Sequence, residues 1–206
     1  MRKSLVSIAI ATAVALTTPW IAAAAPTVGA PAPAFTGTDT HGKKHSLADA
    51  KGKYVVLEWH NQGCPFVKKH YETGNMQRLQ KELTGQGVVW YSVISSAPGK
   101  QGYVTAAEED GYLKEQGASP TAVIMDQDGS IGRLYGAKTT PHMFVIDDKG
   151  KLVYAGAIDD KPTPDKADVD GAKSYVLAAY QEAKAGKPVT VATTAPYGCS
   201  VKYETP

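Results

Sequence analysis

A mixed α/β domain, with a central sheet and helices on both faces, is the fold class that the sequence predicts. Three observations carry it. Two near-continuous apolar runs, residues 54–59 and 88–94, read as strands covered on both sides. Between them, apolar residues recur at three- and four-residue spacing from Pro65 to Leu83, which is helical periodicity. Further on, residues 139–147 read as a strand, Asp148-Lys149-Gly150 as a tight turn, and residues 151–157 as the returning strand.

In chain order, residues 35–40 form a strand, His41-Gly42-Lys43 a turn, and residues 44–47 a short return. This is an N-terminal β-hairpin, and Ser46 or Asp49 is placed to cap a helical turn after it. The central strand at 54–59 leads through a loop, 60–63, to Cys64. Pro65 suits the first turn of the following helix, which Gly74 is expected to bend or break. After the strand at 88–94 come a loop and an amphipathic helix, 103–116, stopped by Gly117. Residues 121–125 are a short strand. Asp126-Gln127-Asp128-Gly129 turns into a short helix, 131–135, closed by Gly136. Residues 171–185 form the last helix, and 187–206 an irregular tail that carries Cys199. No repeat or linker divides residues 25–206, which read as one domain.

Composition bounds the function. With 43% hydrophobic and 20% charged residues in 206, the chain is neither disordered nor a disulfide-dense scaffold. Arg2 and Lys3, an apolar run from Leu5 to Leu16, and Ala22-Ala23-Ala24 read as a secretory signal peptide cut after Ala24. Pro19 follows the run, which is too short for a comfortable membrane span. Cleavage removes two basic residues from 22, against 20 acidic ones, so the mature chain is neutral. Nucleic acid and anionic membranes are therefore not indicated as partners. The expected location is periplasmic or secreted, where disulfides form and persist.

The chain has two cysteines, Cys64 and Cys199, with no CxxC pair, haem site or metal-ligand spacing, and no cofactor pattern. A thiol at a helix N-terminus faces unpaired backbone N–H groups and the positive end of the dipole, and both favour thiolate. Lys68, Lys69 and His70 add positive potential if they face the sulfur. Against this stands a buried structural cysteine packed as a small hydrophobe.

The segment resembles a thioredoxin active site: a strand carrying an acid, Glu58, six positions before a cysteine that opens a helix. Thr139-Thr140-Pro141 before an apolar strand resembles that family's cis-proline loop, which packs beside the reactive thiol. Two departures stand out. Val67 replaces the second cysteine of CxxC, so a vicinal disulfide is impossible. Leu57 and Asn61 stand where peroxiredoxins carry a proline and a Thr or Ser, which disfavours efficient peroxide reduction. The chain is most similar to peroxiredoxin-like, redoxin-type proteins of unassigned function. It shares Cys64-Pro65-Phe66-Val67, Tyr154-Ala155-Gly156-Ala157-Ile158-Asp159-Asp160 and Gly198-Cys199-Ser200-Val201-Lys202 with them. The resemblance implies a thioredoxin-like fold with an N-terminal β-hairpin extension.

From these residues the expected chemistry is thiol-based. Cys64 attacks a protein or small-molecule disulfide, or a hydroperoxide; an external thiol reductant restores it. Glu58, on a buried strand, is expected to have a raised pKa through desolvation and to act as general base. Thr140, Pro141 and Pro65 shape the face where substrate docks. Cys199 resolves Cys64, or staples it permanently, or stays distant. A Cys64–Cys199 bond closes a loop worth roughly 5 kcal/mol in the chain-entropy model. The alternatives are a non-catalytic binding module and a copper-handling protein, in which His60, His70 and His142 would join Cys64. The run Glu108-Glu109-Asp110 reads as a solvated helix face.

Overall fold

The apolar run at 54–59 forms the central strand of the sheet in the computed structural model, which describes residues 25–204. The expected signal peptide, residues 1–24, lies outside them. Strand β3 (Val55–Trp59) is buried at every position. It pairs in parallel with β4 (Val89–Ile94), and β4 with β5 (Ala122–Met125). On its other side lie β7 (His142–Ile146) and β8 (Leu152–Gly156), both antiparallel, giving the order β5-β4-β3-β7-β8. Strands β1 (Thr36–Thr38) and β2 (Lys44–Ser46) form the N-terminal hairpin. Ser46 caps a 3-10 turn, Leu47–Ala50, in a capping box with Asp49.

Alternation along β3 sends side chains to two cores. Val56 packs with Val67 and Tyr71 of α1 (Pro65–Glu72), Met76 and Leu79 of α2 (Asn75–Thr84), and Tyr180 of α5 (Tyr175–Lys184). Val55, Leu57 and Trp59 pack on the other face with Phe35 and with Ile131 and Tyr135 of α4 (Ser130–Tyr135). Helices thus cover both faces. This is the thioredoxin-like fold.

As expected, the helix from Pro65 breaks at Gly74 into two, because Gly74 adopts φ +74°, where glycine alone is unstrained. Several other boundaries differ from expectation, each for a local reason. The third, α3 (Ala106–Gln116), starts later than expected because Thr105 caps it in a box with Glu108. The last starts at Tyr175 because Ser174 caps it. The strand at 139–147 is split: β6 (Thr139–Thr140) and β7 flank a cis Thr140–Pro141 bond. The tail, expected to be irregular, contributes β9 (Cys199–Ser200), antiparallel to β6.

Candidate active site

Cys64 sits where β3 hands the chain to α1. The backbone N–H of His60 still donates to Val93 at the end of the sheet, and the chain then turns on Asn61. The Asn61 carbonyl accepts from Cys64 N–H at 3.0 Å, and its side-chain oxygen from Gly63 N–H at 2.9 Å. The Asn61 amide is held in turn by Gln101, its Nδ2 donating at 3.0 Å. Cys64 is the N-cap of α1, with Pro65 as first helical residue. Its side chain makes no capping bond and is turned inward with 0% exposure.

The cis-proline loop lies over the sulfur. Cys64 Sγ is 3.1 Å from the Thr140 carbonyl, to which the thiol donates. On the outer side of that loop runs the tail. Thr140 is the register partner of Cys199, and Cys199 N–H points at Cys64 Sγ at 3.4 Å. Cys64, Thr140, Pro141 and Cys199 are therefore brought together, and Pro65 stands exposed at the edge of the group. Thr140 and Pro141 are both buried, with Gly198 against them.

The two thiols are driven apart in acidity. Burial opposes ionisation of Cys64, but hydrogen bonding from Cys199 and from neighbouring backbone N–H groups outweighs it, and its pKa falls below the ordinary value. Burial and the neighbouring Cys64 push Cys199 up to about 12. The arrangement favours Cys64 as the thiolate and Cys199 as its protonated neighbour.

Glu58 lies deeper. Its carboxylate accepts from Tyr71 Oη, Trp90 Nε1 and Ser92 Oγ, each at 2.9 Å, and from Gln80 Nε2 at 3.3 Å. None of its hydrogen bonds reaches Cys64. The expected raised pKa is not what the geometry produces. Burial pushes it up, but His60 and the Trp90 and Ser92 donors bring it below the ordinary carboxyl value. His60 Nδ1 is 3.5 Å from Glu58 Oε1, and its Nε2 is 3.2 Å from Glu109 Oε1; all three side chains are fully buried. Flanking carboxylates overcome burial and raise His60 to about 10. Glu109 is thus no part of a solvated face. Its sequence position in an acidic run concealed this, and the one available hint was a 3.6-residue periodicity placing it beside Tyr112 on the inner side of α3.

The positive potential expected from α1 is directed elsewhere. Lys69 and His70 are buried and face Asp159, not the thiol. Burial lowers His70 to about 4, so it is neutral. His142 also falls to about 4, and its Nδ1 accepts from Lys138 N–H at 3.3 Å. The three histidines considered for a metal thus belong to three separate networks. Among the described residues no cluster of three or more His, Cys, Asp or Glu suited to a metal occurs. Cavities of about 370 and 320 Å³ open beside the β7–β8 turn, at the end of β3 remote from Cys64, and neither is lined by it.

The AhpC/TSA family pattern matches residues 28–155, more than half of the chain. The chain belongs to the AhpC/TSA family. It is 29% identical over 125 residues to the thiol-disulfide oxidoreductase ResA of Bacillus subtilis, covering 61% of this chain and 64% of ResA. The match thus spans less than two thirds of that relative. The thioredoxin-like protein YneN of Bacillus subtilis is 28% identical over 144 residues, 69% of this chain and 79% of YneN. In three dimensions, a hypothetical protein from Sinorhizobium meliloti superposes with a TM-score of 0.74 at 24% identity, over 89% of this chain and 98% of that one. The thioredoxin domain of a thiol-disulfide oxidoreductase from Bacteroides vulgatus gives 0.50 at 26% identity, over 64% and 89%. These likenesses support a redoxin with the thioredoxin-like fold. The family pattern ends before the tail, so it says nothing of Cys199.

Proposed function

We propose that this protein is an exported thiol-disulfide oxidoreductase that works with Cys64 as nucleophile and Cys199 as resolving thiol. The observation that carries the reading is Cys199 N–H aimed at the Cys64 sulfur at 3.4 Å, with the two acidities split in the sense the reaction needs. Cys64 thiolate attacks one sulfur of a substrate disulfide, forming a mixed disulfide and releasing the other sulfur as a thiolate. Cys199 gives up its proton and attacks Cys64 Sγ. The Cys64–Cys199 bond forms, and the second substrate sulfur leaves as a thiol after protonation. Two electrons pass from the protein to the substrate disulfide, and an external thiol reductant resets the pair.

Export is supported by the character of residues 1–24. No helix of the described residues is long and apolar enough to cross a membrane. Thr140 and Pro141 orient the sulfur, and Pro65 lies where an incoming substrate first meets the helix. Glu58 acts here as a fixed buried charge that ties β3 to α1 through Tyr71, rather than as a general base on the thiol. Peroxide reduction is disfavoured. Leu57 is core, and the Asn61 side chain is engaged by Gln101, so neither is available to hold a peroxide.

The test is a redox titration of the mature protein against glutathione, with thiols counted by mass after alkylation. A reversible Cys64–Cys199 bond is expected, absent in Cys64→Ala and in Cys199→Ala. Two thiols that stay free at every ratio, and react slowly at neutral pH, would overturn the reading and leave a non-catalytic binding module.

A further inference from the structure

A two-residue strand is too short to hold a cysteine in register by its own hydrogen bonds. Contacts on both sides of it help to hold Cys199: after it, Val201 N–H donates to the Lys138 carbonyl at 3.0 Å. Two positions before Cys199, Tyr197 turns inward, its ring 5.8 Å from that of Phe66 on α1 and 5.7 Å from Lys69 Nζ. Its hydroxyl donates to Asp159 Oδ1. It also meets His70 Nε2 at 3.3 Å.

The contacts form a chain with one direction. Arg78 Nη2 donates to Asn75 Oδ1 at 2.7 Å, and Asn75 Nδ2 to His70 Nδ1 at 2.8 Å. That leaves the proton of neutral His70 on Nε2, donating to Tyr197, which donates to Asp159. Asp159 also accepts from Lys161 N–H at 3.0 Å, and faces Lys69 Nζ at 4.0 Å. Lys69, His70 and Asp159 are essentially without solvent exposure. Asp159 Oδ2 has no hydrogen bond, so Oδ1 carries the hydrogen bonding of a buried carboxylate. A donor to a buried charge is among the stronger hydrogen bonds. The motif around Ile158-Asp159-Asp160 and the motif Gly198-Cys199 are thereby joined through one hydroxyl.

We infer that Tyr197, through its hydrogen bond to Asp159, is a positioning residue that seats Cys199 against Cys64. The inference rests on the reading of Cys64 and Cys199 as a redox pair. The bond raises the effective concentration of Cys199 at the Cys64 sulfur, and so favours the intramolecular disulfide. Nothing in it requires Tyr197 to touch substrate.

The experiment is the equilibrium of the mature protein with glutathione. One oxidised glutathione plus the protein dithiol gives the protein disulfide plus two reduced glutathiones. The constant is measured for the wild type, Tyr197→Phe, Asp159→Asn and the double variant. Tyr197→Phe keeps the ring on Phe66 and removes only the hydroxyl. We expect a constant about tenfold lower in Tyr197→Phe, and a double variant no worse than the more affected single one. A constant within twofold of wild type, with thermal stability alone reduced, would overturn the inference and leave Tyr197 structural. If Tyr197→Phe does not fold, Asp159→Asn decides on the same scale. A wild type that forms no Cys64–Cys199 bond at any ratio sinks the redox reading and this inference together, which separates the two failures.

Discussion

Gly198 lies so close to Thr140 that a Cβ at position 198 would stand 2.0 Å from the Thr140 carbonyl oxygen. Its φ of +128° is also closed to other residues. The backbone of the tail therefore presses directly on the cis-proline loop, and this approach lets the next residue, Cys199, reach the sulfur beneath.

Gly198→Ala is expected to lift the tail from Thr140. Strained backbone of this kind costs on the order of 1–3 kcal/mol, and about 1.4 kcal/mol is a tenfold change in an equilibrium. In the reduced protein, Cys64 should then react with iodoacetamide roughly tenfold faster, since it is fully buried when the tail is seated. An unchanged rate would show that the tail does not cover the thiol.

Cys199→Ala removes one of the hydrogen bonds that lower the Cys64 pKa, while leaving the backbone N–H in place. The midpoint of the alkylation rate against pH should move upward. A midpoint that stays put would mean that the backbone donors suffice.

The Glu58–His60–Glu109 cluster makes stability depend on pH. His60 titrates near 6.5 when unfolded and near 10 when folded. Because the folded value is the higher, its contribution is fully present below pH 6.5 and is lost as pH rises towards about 10. Glu58, lowered on folding, works in the other direction, and its contribution fades as pH falls below its unfolded value of 4.5. The denaturation midpoint of wild type minus that of His60→Gln should therefore shrink from pH 6 to pH 10. A constant difference would contradict a protonated His60.

Glu58→Leu leaves His60 with one carboxylate partner and strands the Tyr71, Gln80, Trp90 and Ser92 donors in the core. Breaking a buried ion pair in this way costs about 3–5 kcal/mol, or a thermal midpoint roughly 10 °C lower. A near-neutral effect in calorimetry would argue that the cluster rearranges around water.

The sequence by itself determined the strands of the central sheet, the helices they alternate with, and the placing of Cys64 at a helix start ahead of Pro65. It also determined the Thr140–Pro141 segment before β7. These features depend on spacing between near neighbours: runs such as Val55-Val56-Leu57, the repeat of Val67, Tyr71 and Met76, and residue types such as Pro, Gly and Ser at chain turns. Only the tertiary structure decided which distant groups meet. Cys199 reaches Cys64 through a two-residue strand anchored by Tyr197, Gly198 and Val201, none of which carries a periodic signal. Glu109 is buried because His60 faces it from another element, and Lys69 turns from the thiol because Asp159 lies across from it. A charged residue on a helix reads as solvated until a partner of opposite charge is known, and that partner is supplied by the fold, far away in the chain.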